Sequence, residues 1–319
     1  MNRPTESYLK VPYDLRIAKQ IERRMIIDGL QILSYAGFPI VDYQYTGLGS
    51  IFFVDFIMFQ KFLGIHRMLS IEFSKKIKKR VKFNRPFANI KTERGRIGEF
   101  IPGLNKDLKH LLWLDYDYPL DESVMTDVIL AASELPCASI LLITVDLEMP
   151  KGTDQGKTLT PQERMQYYKR AAGRFFEPEW ETSDFALSRM ANINIRLLFN
   201  AIKNGLAGRE EVTFLPLFSF IYADGHRMFT FGGMIANPSD KGRVEGCDFR
   251  KAFYMRRDVR DNPYEIMVPI VTRKERLHLD SHMPCEDAWK PKEFELDGAA
   301  VLTYREIYRF YPAYAELLL

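Results

Sequence analysis

Apolar residues recur along this chain at two periods, and the alternation between the periods lays out the fold. In residues 14–35, Leu15, Ala18, Ile21, Met25, Ile26, Leu30 and Leu33 stand three or four apart, which predicts a helix ended by Gly37 and Pro39. Residues 43–45 form a short strand that runs into Thr46-Gly47-Leu48-Gly49-Ser50. Residues 52–63 are apolar on every face, as a helix buried against a sheet is, and Gly64 closes them. A second short strand, 68–71, ends on Glu72. The basic run Lys75–Arg80 opens another helix, 90–93 reads as a third strand, and a polar turn spans 94–98. Residues 111–114 and 139–145 are compact apolar runs, the pattern of parallel strands covered on both faces. A helix over 123–135 lies between them, with Ser123 as its N-cap. Helices are predicted over 161–174 and 183–204, and strands 212–222 and 227–235 meet at Asp224-Gly225, a favoured hairpin dipeptide. A strand-like run at 266–271 and a closing helix over 304–319 complete the chain.

This rhythm predicts an α/β fold: a doubly wound, mostly parallel seven-stranded sheet with a terminal antiparallel hairpin. The predicted division is an N-terminal helical segment (1–40), a core (41–238) and a C-terminal extension packing on it (239–319). Composition changes the picture only modestly. With 46% hydrophobic residues, 319 positions supply a full core, and a net charge of +3 is too small to imply nucleic acid by itself. Cys137, Cys247 and Cys285 show no paired spacing, as free thiols of a reducing compartment would. No apolar run reaches about 18 residues and the first ten positions are polar, so a cytoplasmic protein without membrane span or signal peptide is expected.

The candidate chemistry centres on residues 42–72. Gly47 and Gly49 permit a sharp turn and close approach of the backbone, and the following helix N-terminus favours a negatively charged ligand group. Glu72, about 20 residues on, stands where an acid binds ribose hydroxyls. The third glycine of the dinucleotide pattern is missing, since Ile51 and Phe52 follow Ser50. A nucleoside ligand therefore fits better than a pyrophosphate, and an ordinary strand-to-helix turn is the plainer alternative.

The YTGLGS turn, Glu72 ending MLSIE, the LLWLDYD strand end and the Asp-Gly hairpin together resemble a class I, Rossmann-like S-adenosylmethionine-dependent methyltransferase over about residues 42–235. With the N-terminal helix and the ending VPIVTRKERLHLDS, the chain also looks like bacterial O-methyltransferases. The resemblance implies S-adenosylmethionine as cofactor, with Gly47 and Gly49 behind its methionine part and Glu72 on its ribose. It places the turn from Glu93 to Arg96 by the adenine and Asp115 near the transferred methyl, while Tyr45 takes a cofactor-facing position that is usually acidic. Methyl transfer needs an aligned nucleophile and a proton acceptor, and Asp115, Asp117 and Asp146 at successive strand ends are the candidates. Asp115, Asp146 and Glu148 could instead hold Mg²⁺, as in metal-dependent catechol-type enzymes. Helix capping and loop solvation are the preferred explanation of those acids.

Several features have competing readings. Lys75–Arg80 suggests a nucleic-acid groove, but without a second basic stripe it reads as wetted surface, so a small-molecule acceptor is expected over nucleic acid. Arg16, Lys19, Arg23 and Arg24 read as a solvated helix face. Residues 151–160 form a candidate lid, and Tyr167, Tyr168, Phe175 and Phe176 are either core or an acceptor wall. His278, His282 and Cys285 have zinc-like spacing, against chance placement of surface histidines. The competing class is a non-catalytic module that senses a nucleotide-type ligand or scaffolds a partner, and a second alternative is a nucleic-acid methyltransferase using Lys75–Arg80. Oligomeric state is not legible in the pattern.

Overall fold

The structure, a computed structural model, describes residues 16–148 and 159–313. In chain order the elements are α1 (Ile17–Tyr35), β1 (Gln44–Leu48), α2 (Val54–Leu63), β2 (Arg67–Glu72), α3 (Lys78–Asn84), β3 (Ile90–Arg94), α4 (Ile97–Phe100), β4 (His110–Pro119), α5 (Glu122–Glu134) and β5 (Ser139–Asp146). They continue with α6 (Pro161–Ala172), α7 (Met190–Leu206), β6 (Thr213–Ala223), β7 (Arg227–Ala236), α8 (Pro238–Glu245), β8 (Tyr264–Ile266), α9 (Arg273–His282) and α10 (Gly298–Ile307).

The strands form one sheet in the order β3-β2-β1-β4-β5-β7-β6-β8. Strands β3, β2, β1, β4 and β5 are parallel, so their helical crossovers leave all five carboxyl ends on one rim. β7 inserts antiparallel beside β5, and β6 and β8 then run in the common direction. Gly225, at φ +101° in the β6–β7 turn, takes the left-handed conformation such a turn needs. Every residue of β5 is buried, because helices cover both faces. One face packs under α1, α2 and the C-terminal residues Tyr254, Ile307 and Phe310; the other packs under α5, α6 and α7. The N-terminal helix, the sheet and the extension thus share one apolar layer.

The sheet has eight strands where the sequence predicts seven. The added edge is Tyr264–Ile266, paired with β6; it overlaps the predicted 266–271 run only at Ile266, which pairs with Tyr222 one residue before β6 ends, and Pro269 beyond it cannot donate to a ladder. α5 is capped by the Asp121 carboxylate, which accepts from the Val124 amide at 3.0 Å, while Ser123 only supports that carboxylate. The helix predicted from residue 183 begins at Met190; Arg164 Nε takes the Phe185 carbonyl at 2.6 Å and holds the preceding segment in short turns. The last helix begins at Gly298, capped by Asp297, and ends before Pro312. The lead-in, most of the 151–160 loop and residues 314–319 lie outside the described residues.

Candidate active site

At the common rim of the parallel strands lies a cavity of about 740 Å³, within the roughly 300–1,000 Å³ usual for small-molecule sites. Leu48, Gly49 and Ser50 form one wall, and the β2 end brings Ile71, Glu72, Phe73 and Ser74 beside them. Gly95 to Glu99, β4 from Asp115 to Tyr118, and α1 through Arg16 and Lys19 complete the enclosure, with Tyr222 and Met228 from the hairpin. The lining holds six carboxylates (Glu72, Glu99, Asp115, Asp117, Asp121 and Asp127) against the cations of Arg16, Lys19 and Arg96. Such a surface attracts positive ligands.

The two glycines have different uses. The Gly49 amide donates to the Ile71 carbonyl, and a Cβ at Gly49 would stand 2.9 Å from Ser70 Oγ and 3.0 Å from the Ile71 oxygen. The glycine therefore lets β1 and β2 close together at the rim, where Glu72 begins. Glu72 accepts from the Ser74 amide at 2.7 Å, which fixes its carboxylate at the cavity wall. Gly47 does not line the cavity, because the Tyr45 phenol occupies the space a Cβ would need. Tyr45 itself is buried edge-on against Phe56 and Phe59, each ring centroid 4.7 Å away, and it bonds Asp55. Burial raises its pKa well above the phenol value. Tyr45 thus fills the core beside the turn instead of facing a ligand.

Arg96 lies at the mouth, with its guanidinium 5.2 Å from the exposed Phe73 ring, whereas Glu93 is exposed and off the cavity. Asp127 stands at the floor, accepting from the Tyr116 hydroxyl at 2.7 Å, and burial raises its pKa. Asp117 lines the cavity and is exposed. Asp115 lines it too, but its carboxylate is 3.0 Å from the Lys19 ammonium. Asp146 is outside the lining, opposite Pro119 on β4; burial raises its carboxyl to about 6 although it accepts from the Glu148 amide at 2.6 Å.

The Lys19 ammonium overturns the expectation of a solvated α1 face. Lys19 and Arg23 are only 3% and 2% exposed, and Glu22 is fully buried. Lys19 reaches Glu22 and Asp115, each at 3.0 Å, and sits 4.4 Å from the Trp113 ring centroid. Burial would lower its pKa, yet the two carboxylates outweigh burial and raise it. Thr230 donates to Glu22, contacts Thr144 at 2.7 Å, and Trp113 Nε1 donates to Thr144 at 2.9 Å. Arg23 pairs with Asp55 in the first turn of α2. Finally, Asp224 in the hairpin turn accepts from the amides of Ala18 and Lys19 at 3.0 and 2.8 Å, capping α1. A helix distant in sequence is thereby fastened across the rim.

These placements do not suit the Mg²⁺ set. A cation already neutralises Asp115, and among the described residues no group of three His, Cys, Asp or Glu side chains is placed to hold a metal ion. His278 and His282 instead each stack on Trp289, with their own rings tilted against each other, and Cys285 contacts Met283. Tyr168, Phe176 and Trp180 pack around Phe185 in the core below α6. No described helix is long and apolar enough to cross a membrane.

The sequence reading missed Lys19, Phe73, Ile77, Ile97 and Asp127 as lining residues. One signal was present: Lys19, Glu22 and Arg23 stand at i, i+3 and i+4, the spacing of paired charges on one helix face.

Comparison with known proteins gives a family match over residues 11–319 to the family described as "Putative O-methyltransferase". No curated protein matches. The O-methyltransferase TomG of Streptomyces achromogenes, solved with S-adenosylmethionine, is 13% identical, covering 72% of this chain and 94% of its own, with a TM-score of 0.36. The N-methyltransferase NodS of Bradyrhizobium japonicum WM9 is 10% identical, covering 68% and 97%, with a TM-score of 0.36. The fibrillarin pre-rRNA processing protein of Methanococcus jannaschii is 11% identical, covering 62% and 69%, at 0.33. Likeness at this level carries no argument about chemistry.

Proposed function

Since the chain belongs to the family described as "Putative O-methyltransferase", we propose that it binds S-adenosylmethionine in the rim cavity and methylates an oxygen acceptor presented over β4. The observation that carries this reading is that Gly49, Glu72 and Asp115, from the adjacent strand ends of β1, β2 and β4, line one acid-rich cavity. Its surplus of carboxylates suits a ligand with a positive sulfonium.

When bound, S-adenosylmethionine supplies a methyl group already activated by the sulfonium. The chain's own residues then bind, orient and accept a proton. Glu72 accepts the ribose hydroxyls. Phe73, Ile77 and Ile97 supply the apolar slot that an adenine fills, with Arg96 beside Phe73. Lys19 holds the Asp115 carboxylate in the wall. Asp117, which lines the same cavity and is exposed, takes the acceptor's proton in this reading. Asp146 is off the cavity and Asp115 is engaged by an ammonium, so neither serves as well.

Ultraviolet cross-linking of [methyl-³H]S-adenosylmethionine to the full chain, followed by peptide mapping, tests the reading. Label is expected in peptides containing residues 48–50, 72–77 or 95–99, competed by S-adenosylhomocysteine. Label confined elsewhere, or insensitive to competitor, contradicts it.

A further inference from the structure

Residues 75–96 contain ten lysines and arginines and one acid, Glu93, in a chain whose total is only +3, so the remaining residues are together acidic. The fold gathers these charges onto one edge. β3 is an end strand of the sheet, and α3 is the crossover that precedes it. Arg94, on the β3 face that Ile90 shares with α3, and Arg96 after it thus add to α3 the basic stripe that the sequence reading found missing, while Lys91 lies on the other face of the same edge strand. All ten cationic side chains are exposed, and none stands within ion-pair distance of a carboxylate among the described residues. Lys78 and Lys82 are a like-charge pair four apart, which works against the helix unless an anion relieves it.

Two aromatic rings stand among these charges, Phe73 at 65% and Phe83 at 88% exposure. Cations that track phosphates together with open aromatic faces are what single-stranded nucleic acid requires. A membrane surface fits less well: the apolar residues flanking and within α3, Ile77 and Val81, are turned into the core, so α3 has no continuous apolar face to insert. Phe73 and Arg96 belong to both the edge and the cavity mouth. We propose that the α3–β3 edge is a docking surface for the backbone of a single-stranded nucleic acid, with Phe73 and Phe83 as stacking faces for its bases. The surface shares Phe73 and Arg96 with the cavity, so its test rests on Phe83 and the α3 lysines, which the cofactor reading does not use, and on binding alone.

The test uses the full chain and fluorescein-labelled 12-nucleotide oligo(U) and oligo(dT), followed by anisotropy across a potassium chloride series. Micromolar binding of either strand is expected at about 50 mM salt, with log affinity falling at a slope of roughly 2–4 against log salt for about three to six phosphates. Reversal of three exposed charges outside the cavity (K78E, K79E and K82E together) is expected to weaken binding tenfold or more and flatten the slope. Phe83→Ala is expected to weaken it about fivefold or more with the slope kept. It also serves as the second variant if the triple change disturbs folding. No binding at 50 mM salt, affinity unmoved by either variant, or capture by phosphatidylserine vesicles without binding either oligonucleotide overturns the proposal.

Discussion

Helices α1 and α3 look alike as strings of letters, each carrying lysines and arginines within two turns, yet the fold uses them in opposite ways. In α1 the cations of Lys19 and Arg23 are buried and met by Asp115, Glu22 and Asp55. In α3, Lys78, Lys79, Arg80 and Lys82 are exposed, and none forms an ion pair with a carboxylate among the described residues. The difference lies in what the rest of the chain delivers. Asp115 comes from a strand end 96 positions away and Asp55 from a helix 32 positions away, so α1 is neutralised by topology. α3 is the crossover to the edge strand β3, and among the described residues no carboxylate forms an ion pair with its cations. A charge run therefore acquires its meaning from long-range neighbours, and burial raises the stakes because an unpaired buried charge costs several kcal/mol.

Four perturbations break or sharpen that contrast. The largest effect is expected from Lys19→Met, which strands Asp115 and Glu22 without their cation. It should cost about 3–5 kcal/mol in urea unfolding, and a loss below about 1 kcal/mol would mean that the ionic cluster does not hold α1. Gly49→Ala comes next, at roughly 1–3 kcal/mol, since the added carbon meets Ser70 and the Ile71 carbonyl where β1 and β2 close. Differential scanning calorimetry reads it.

Asp146 supplies a buried acid that pairs with no buried cation among the described residues, the third arrangement beside those of α1 and α3. Burial lifts its carboxyl from the ordinary value to about 6, only partly opposed by the Glu148 amide and His226. The folded state then holds the proton more tightly than the unfolded state between about pH 4 and 6. Stability from this group is accordingly greatest at the acid end and falls as pH rises to about 6, then levels off. Asp146→Asn should remove that slope in a series of unfolding curves. The smallest effect belongs to Lys79→Met, which should leave stability within about 0.5 kcal/mol because the side chain is exposed and forms no ion pair among the described residues.

Much of the fold was legible because each parallel strand is a short apolar run and each crossover helix has its own period. β5, buried along its whole length, is the clearest case. The Asp224-Gly225 hairpin was equally plain, but its second role, capping α1, links residues more than 200 positions apart and leaves no local trace. In the site, Gly49, Glu72, Arg96, Asp115 and Asp117 meet in one cavity. Gly47, Tyr45, Glu93 and Asp146 do not, and each for a reason of side-chain direction. Tyr45 folds back over Gly47, Glu93 points out from an edge strand, and Asp146 turns toward the hairpin. Spacing shows which strand end a residue occupies, while the face it takes depends on packing around it. The second basic stripe was hidden for a similar reason, because Arg94 and Arg96 join α3 only when β3 takes its place at the sheet edge.

The rim cavity as the cofactor site is tested most directly by isothermal titration of the full chain with S-adenosylhomocysteine, beside a Glu72→Ala variant whose unfolding curve matches the parent. Micromolar binding to the parent, weakened at least about 100-fold in the variant, is the predicted result. No heat with the parent, or equal affinity in both proteins, would contradict it.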